Sequence, residues 1–158
     1  MLLGGVMKTK LVNEQQGFTL IEVLLAVVIL GIGLLGIVTL QARSLQYNQQ
    51  AYLYSQASFL ANDIAERMRA NSQVLSEYEI DFGEDVNGVT TTQCLTSNCT
   101  ASQFAEWDLK VWKDSLKSAL PSGDGSVVRV NNQYKITAQF DDSRGQESLQ
   151  QITITVQL

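Results

Sequence analysis

The sequence predicts an α+β fold, in which the second half of one long N-terminal helix packs on a C-terminal antiparallel β-meander. Three observations predict it. An uncharged run of 18 residues, Val23 to Leu40, leads into a stretch, Ile37 to Asn71, that neither Pro nor Gly interrupts. Downstream, Leu53, Ala57, Leu60, Ala61, Ile64, Ala65 and Met68 recur at spacings of three, four and seven, an apolar stripe on one helix face. Near the end, β-branched residues alternate with polar ones in short runs separated by turn residues. With 158 residues, 45% of them hydrophobic, the chain suffices for one modest domain plus a membrane helix.

The apolar run comes first. Adding Phe18 to Glu22 brings it to 23 residues, which at helical rise spans roughly 30 to 35 Å, about the thickness of a bilayer core. A cleaved secretory signal has an apolar region of about 7 to 15 residues and a small-residue cleavage site; this run is longer, and no Ala-x-Ala follows Leu40. A soluble helix apolar on all sides would need more cover than so small a chain offers. Lys8 and Lys10 precede the span and Arg43 follows it, so the positive-inside rule places the N-terminus in the cytoplasm and the remainder across the membrane. Glu22 is the anomaly. A carboxylate in hydrocarbon costs about 3 kcal/mol or more, so it calls for a partner.

Gly31, Gly33 and Gly36 weaken the helix within the span by roughly 1 kcal/mol each relative to Ala. Close packing through small residues is one explanation. Beyond the span the amphipathic stripe continues the same helix, giving a single element from Thr19 to Ala70 of roughly 75 Å. The acidic residues Glu77, Glu79, Asp81, Glu84 and Asp85 follow in a link. They lack the alternating ligands and central glycine of a calcium loop, and read as a solvated face. Cys94 and Cys99 lie in a Thr, Ser and Asn-rich loop from Thr90 to Ser102. An oxidising compartment would close them into a small disulfide ring; a metal site competes poorly, since the chain has no histidine and no further cysteine.

A second helix is expected where Ala105, Leu109, Trp112, Leu116 and Leu120 keep helical spacing, with Pro121-Ser122-Gly123 as its stop. Trp107 and Trp112 read as packing residues. Three strands follow: Ser126 to Val130, Gln133 to Phe140 and Gln150 to Leu158. Tyr134, Ile136, Ala138 and Phe140 share one face, as do Ile152, Ile154, Val156 and Leu158. Asn131-Asn132 supplies a tight turn and Asp141 to Gly145 a longer one. Laid on the helix stripe, this meander makes a two-layer head.

At Gly17-Phe18-Thr19-Leu20-Ile21-Glu22 the chain resembles type IV prepilins and pseudopilins. The resemblance implies the type IV pilin fold and a leader, residues 1–17, cut by a prepilin peptidase between Gly17 and Phe18. Met7 offers a second start for that leader. It implies N-methylation of Phe18 and makes Glu22 the residue that pairs with the N-terminal amine of a neighbouring subunit during assembly. Such a pair fits the physics, because two charges in a low-dielectric setting are each costly alone and far less so together. The family's domains fall at 18–40 for the membrane and filament-core part, 41–71 for the periplasmic amphipathic part, and 72–158 for the head. In that family the glycine-bearing part of the span can lose regular structure in the filament; major pilins usually carry a proline several residues further on, and this chain has only Pro121.

Ile32-Gly33-Leu34-Leu35-Gly36, Asp63 to Asn71 with its Arg-Met-Arg-Ala-Asn end, the Trp112 to Leu120 helix running into Pro121-Ser122-Gly123-Asp124-Gly125, and Tyr134-Lys135-Ile136-Thr137 are similar to PilV-type minor pilins. That resemblance implies a low-abundance subunit of a minor-pilin complex that primes or caps a type IV pilus and so affects piliation, twitching motility and adhesion. The implied partners are the prepilin peptidase, other minor pilins, the major pilin and an inner-membrane assembly platform. The implied location is the bacterial inner membrane, single-pass with a periplasmic head, and then the filament at the cell surface. A type II secretion pseudopilin shares the same N-terminal motif, and a tip adhesin or DNA-uptake subunit is the other alternative.

No catalytic constellation competes. There is no histidine, no Ser or Cys beside a plausible base and no phosphate-cradling glycine loop, so neither enzyme activity nor a cofactor nor a metal is expected. The formal charge is −5. Removing Lys8, Lys10 and Glu14 with the leader takes away +1 and leaves −6, which argues against non-specific nucleic-acid binding.

Overall fold

The computed structural model describes residues 17–86, 94, 98–143, 145 and 148–158. Most of the leader, with Met7, Lys8 and Lys10, lies outside the described residues, as do parts of the Thr90 to Ser102 loop and of the turn after Asp141. The chain divides into two compact units, Met1–Ser44 and Leu45–Leu158.

Helix α1, Leu20–Ala70, has 51 residues and starts within one residue of expectation. The absence of Pro explains its continuity, and its last turn carries Arg67 and Arg69, cations that suit the negative end of the helix dipole. It closes on Asn71, whose N–H is shared between the Arg67 and Met68 carbonyls at 3.1 and 3.2 Å. A 3-10 helix, Ser72–Tyr78, then turns the chain. No sequence signal marks this element. Its seven residues carry two apolar anchors, Val74 and Leu75, and Tyr78, too short a pattern to show a period.

Within the Leu45–Leu158 unit, all seven predicted stripe residues of α1 are buried. They share one core with Tyr78, Ile80, the second helix and the sheet. Helix α2, Ala101–Ala119, begins four residues before the first expected apolar position. The reason is a capping box. Thr100 Oγ1 accepts from the Gln103 N–H at 3.3 Å, and Gln103 Oε1 accepts from the Thr100 N–H at 3.0 Å, which satisfies two donors that a helix start leaves open. Ala105, Leu109, Trp112, Leu116 and Leu120 are all buried, as their spacing predicts. Trp112 is core: its indole N–H donates to the Leu60 carbonyl at 2.9 Å and joins α2 to α1.

The stop after α2 is tighter than a generic turn. Ser122 takes a positive φ of 51°. A Cβ on Gly123 would lie 2.1 Å from the Leu116 carbonyl oxygen, and one on Gly125 would lie 2.4 Å from the Trp112 ring. Both glycines therefore let backbone pass where any side chain would collide.

Strands β1 (Asp124–Val130), β2 (Gln133–Phe140) and β3 (Gln150–Val156) form an antiparallel meander in the order β1-β2-β3. Val130 pairs with Gln133 across the two-residue Asn131-Asn132 loop, with Asn131 at φ 57°. On the outer edge of β1, Ile80 exchanges two backbone hydrogen bonds with Val127, at 3.0 and 2.8 Å. Tyr134, Ile136, Ala138 and Phe140 are buried. The Phe140 ring meets Tyr54 of α1 edge-on at 5.1 Å between centroids, and the Tyr54 hydroxyl donates to Gln150 Oε1 at 2.9 Å.

Candidate functional site

Thr19 caps α1. Its carbonyl accepts from the N–H groups of Glu22 and Val23 at 3.1 and 3.3 Å, and its Oγ1 accepts from the Glu22 N–H at 3.4 Å. Glu22 is thus the third residue of the helix, where a carboxylate is favoured by the positive end of the dipole. Thr19-Leu20-Ile21-Glu22 has the spacing of a capping box, a local role for Glu22 that the sequence reading passed over. Phe18, Glu22, Val23, Ala26, Val27 and Leu30 line one face of this end of the helix. The acid therefore stands on an otherwise apolar strip.

Among the described residues, the side chains of that strip are exposed. Phe18 is 83% exposed and Leu20 79%, and α1 contains an 18-residue window long and apolar enough to cross a bilayer, none of it buried within the chain. An uncovered apolar surface of this extent requires another apolar phase or another protein. Gly31, Gly33 and Gly36 lie in this segment with open space around each, so the helix has glycine gaps into which a neighbouring helix can pack closely. Gly17, just ahead of the cap, is likewise unencumbered and exposed.

The head holds a second polar constellation, absent from the sequence reading. Asp108, whose side chain is 1% exposed, accepts from Arg67 Nη1 at 2.8 Å and from the Tyr78 hydroxyl at 2.7 Å. Arg67 Nε also donates to Asp63 at 2.9 Å, and its guanidinium lies 6.0 Å from the Trp107 ring centroid. Asn71 donates to the Tyr78 oxygen at 3.2 Å and to the Ala101 carbonyl at 2.8 Å. Burial, opposed by the Asn71 amide and reinforced by Asp108, holds the Tyr78 phenol above its ordinary pKa. The group ties together the end of α1, the 3-10 helix and the start of α2. Every member is a donor or acceptor already engaged, so its chemistry is structural and offers no free nucleophile or base.

Cys94 and Cys99 form a disulfide, with Cα atoms 5.4 Å apart, as the oxidising-compartment argument predicts. The five acidic residues of the link are exposed. Asp85 pairs with Lys117 of α2 at 2.5 Å, and the Glu84 carboxylate accepts from the Asp81 N–H at 3.1 Å. Nearby, Lys113 is buried. It reaches Asp124 at 2.7 Å and the Asp81 carbonyl at 3.0 Å. Burial raises the Asp124 carboxyl, but Lys113 and the N–H groups of Gly83 and Gly125 outweigh it and hold the group below its ordinary value. Its contribution to stability is therefore present above the usual carboxylate range and lost as pH falls through its lowered pKa. Among the described residues, no group of three or more carboxylate or thiol side chains is placed to hold a metal ion.

Two family models match the chain. Residues 12–38 match the prokaryotic N-terminal methylation motif, and residues 39–110 match the model described as type IV pilin Tt1218. The first covers Gly17, Phe18, Glu22 and most of the exposed apolar helix, while the second covers the remainder of α1, the 3-10 helix and the first half of α2. Comparison with curated proteins and with solved structures gave no significant match.

Proposed function

We propose that this chain, which belongs to the type IV pilins and carries their N-terminal methylation motif, is a minor pilin of the PilV type, and that its first function is to join a filament or its priming complex. The observation that carries this reading is the junction of a glycine, an aromatic and an acid at fixed offset with an apolar helix that is exposed among the described residues. Prepilin peptidase would cut after the unencumbered Gly17, and methylation would follow on Phe18.

The new amine at Phe18 and the carboxylate of Glu22 give the chain two opposite charges on one apolar strip. Within one chain, Thr19 and the helix dipole already stabilise Glu22. Between chains, the amine of one subunit meeting Glu22 of the next would neutralise both charges in an apolar setting and fix the axial stagger. On the outer face of α1, Leu45, Tyr52 and Phe59 recur every seven residues and are 70%, 59% and 68% exposed, apolar surface suited to neighbouring subunits. The helix would first lie in the inner membrane with the head on the periplasmic side, in agreement with the Lys8 and Lys10 bias and the disulfide. Such a subunit has a structural role and no enzymatic one.

Replacing Glu22 by Ala tests this. The variant is expected to insert and to be processed, yet to reach sheared pili at a level at least tenfold lower. Normal incorporation would remove the assigned role of Glu22. The same preparation also addresses the apparatus served: loss of surface pili on gene deletion, with exoprotein secretion intact, is the expected pattern for a pilus subunit.

A further inference from the structure

The two edges of the sheet differ. Beyond β1 lies the paired residue Ile80, whereas β3 has β2 on one side and, among the described residues, no backbone partner on the other. Natural edge strands are commonly protected by charge, Pro, a bulge or a covering element. From Ser148 to Leu158 this chain has no charged residue and no Pro, and the β2–β3 register runs from Tyr134↔Val156 to Phe140↔Gln150 without a bulge. The core side of β3 is also unfinished. Ile136 is fully buried, while Ile152, Ile154 and Val156, on the same face, remain partly exposed.

The residues of the edge say what completes it. Gln151-Ile152-Thr153-Ile154-Thr155-Val156-Gln157 reads nearly the same in both directions about Ile154. In an antiparallel pair, residues directly opposite share a face. A two-fold axis through Ile154 sets Ile154 against its own copy, Thr153 against Thr155, Ile152 against Val156, and Gln151 against Gln157. Each side chain then faces its own kind. β-Branched residues meet on the core side, and hydroxyls and amides meet on the opposite side, where buried Thr137 and exposed Thr153 already share a 3.1 Å contact between β2 and β3. This self-complementarity is what an isologous interface requires.

We infer that β3 is a self-pairing edge, through which two copies of this chain join their sheets into one six-stranded antiparallel sheet. The pairing rests on the head alone and is independent of cleavage at Gly17.

The test is disulfide trapping of the full chain in membranes, with Cys94 and Cys99 left in their native bond. Opposite residues in such a pair have Cα atoms about 4.5 or 5.5 Å apart, within disulfide range. Ile154→Cys is expected to give a covalent homodimer under mild oxidation. Gln151→Cys alone should not, because its two copies lie about 20 Å apart in this register. Combining Gln151→Cys with Gln157→Cys should restore the dimer. Thr153→Cys expressed with Thr155→Cys, both at exposed positions, repeats the test without touching the core side. Adding Thr155→Lys to Ile154→Cys should lower the dimer yield at least fivefold. Equal trapping by Ile154→Cys and Gln151→Cys, no dimer from either Ile154→Cys or the Thr pair, or capture of a different polypeptide at Ile154→Cys would each overturn the proposal.

Discussion

Gly17→Leu is expected to leave the chain at precursor length in cells that process other prepilins, with almost no mature form on a gel. The structure makes this a clean substitution. A Cβ at Gly17 meets nothing within 4 Å, and the residue precedes both the Thr19 cap and the first turn of α1. Insertion and the fold of the head should therefore be unchanged, and the defect confined to recognition by the peptidase. Since the uncut leader would also keep the Phe18 nitrogen in a peptide bond, the variant lacks the positive amine assigned to Glu22. It should fail at assembly as severely as Glu22→Ala. A mature-sized band in Gly17→Leu would remove the peptidase assignment.

Asp108→Ala is expected to have the largest effect on the head. Removing this carboxylate strands Arg67 and Tyr78, both of which donate to it at 2.8 Å or less in a site where Asp108 itself is 1% exposed. Breaking a buried pair by deleting one partner typically costs about 3 to 5 kcal/mol. Asp63 remains on Arg67 at 2.9 Å and moderates the loss, so the lower end is expected, on the order of 10 °C in Tm for a domain of this size. Asp108→Asn keeps an acceptor in place and should cost less. Thermal unfolding of the detergent-purified full chain, followed for the three proteins side by side, reads the difference. Equal Tm values for Asp108→Ala and the parent would show that the network carries no stability.

The long elements were legible in the sequence because each repeats one physical signal many times. Seven stripe residues on α1, four on α2 and Leu120 at the end of α2 fix a period over several turns, and all twelve are buried. Alternation in Gln133–Phe140 gave β2 to the residue, since Asn131-Asn132 bounds it on one side and Asp141 on the other. β1 begins two residues before its expected start, at Asp124 and Gly125, because the approach of Gly125 to Trp112 is a tertiary contact and glycine carries no β signal. The 3-10 helix has too few residues to display a period. The Arg67, Asp108 and Tyr78 group is built from residues 41 and 30 positions apart, a juxtaposition that no local pattern encodes. The capping spacings at Thr19 and Thr100 were present in the sequence and needed only the offset of three to be read.

At the N-terminal segment the balance is reversed. There the chemistry lies in six consecutive residues, Gly17 to Glu22, so the sequence was sufficient to choose them. The structure added the Thr19 cap, the placement of Glu22 on the third helical residue and, among the described residues, the exposure of the strip it shares with Phe18 and Leu30. These make the acid a helix-start residue as well as the proposed assembly residue. Glu22→Gln separates the two roles better than Ala does, because Gln also serves the third position of a capping box but cannot balance an amine.

The central claim is that cutting after Gly17 creates the charge that Glu22 meets. It is tested most directly by mass spectrometry of the N-terminal peptide of the chain recovered from cell envelopes. The account predicts a peptide that begins at Phe18 and carries one added methyl group on its amine. A chain that retains residues before Phe18, or that begins beyond Glu22, would contradict it.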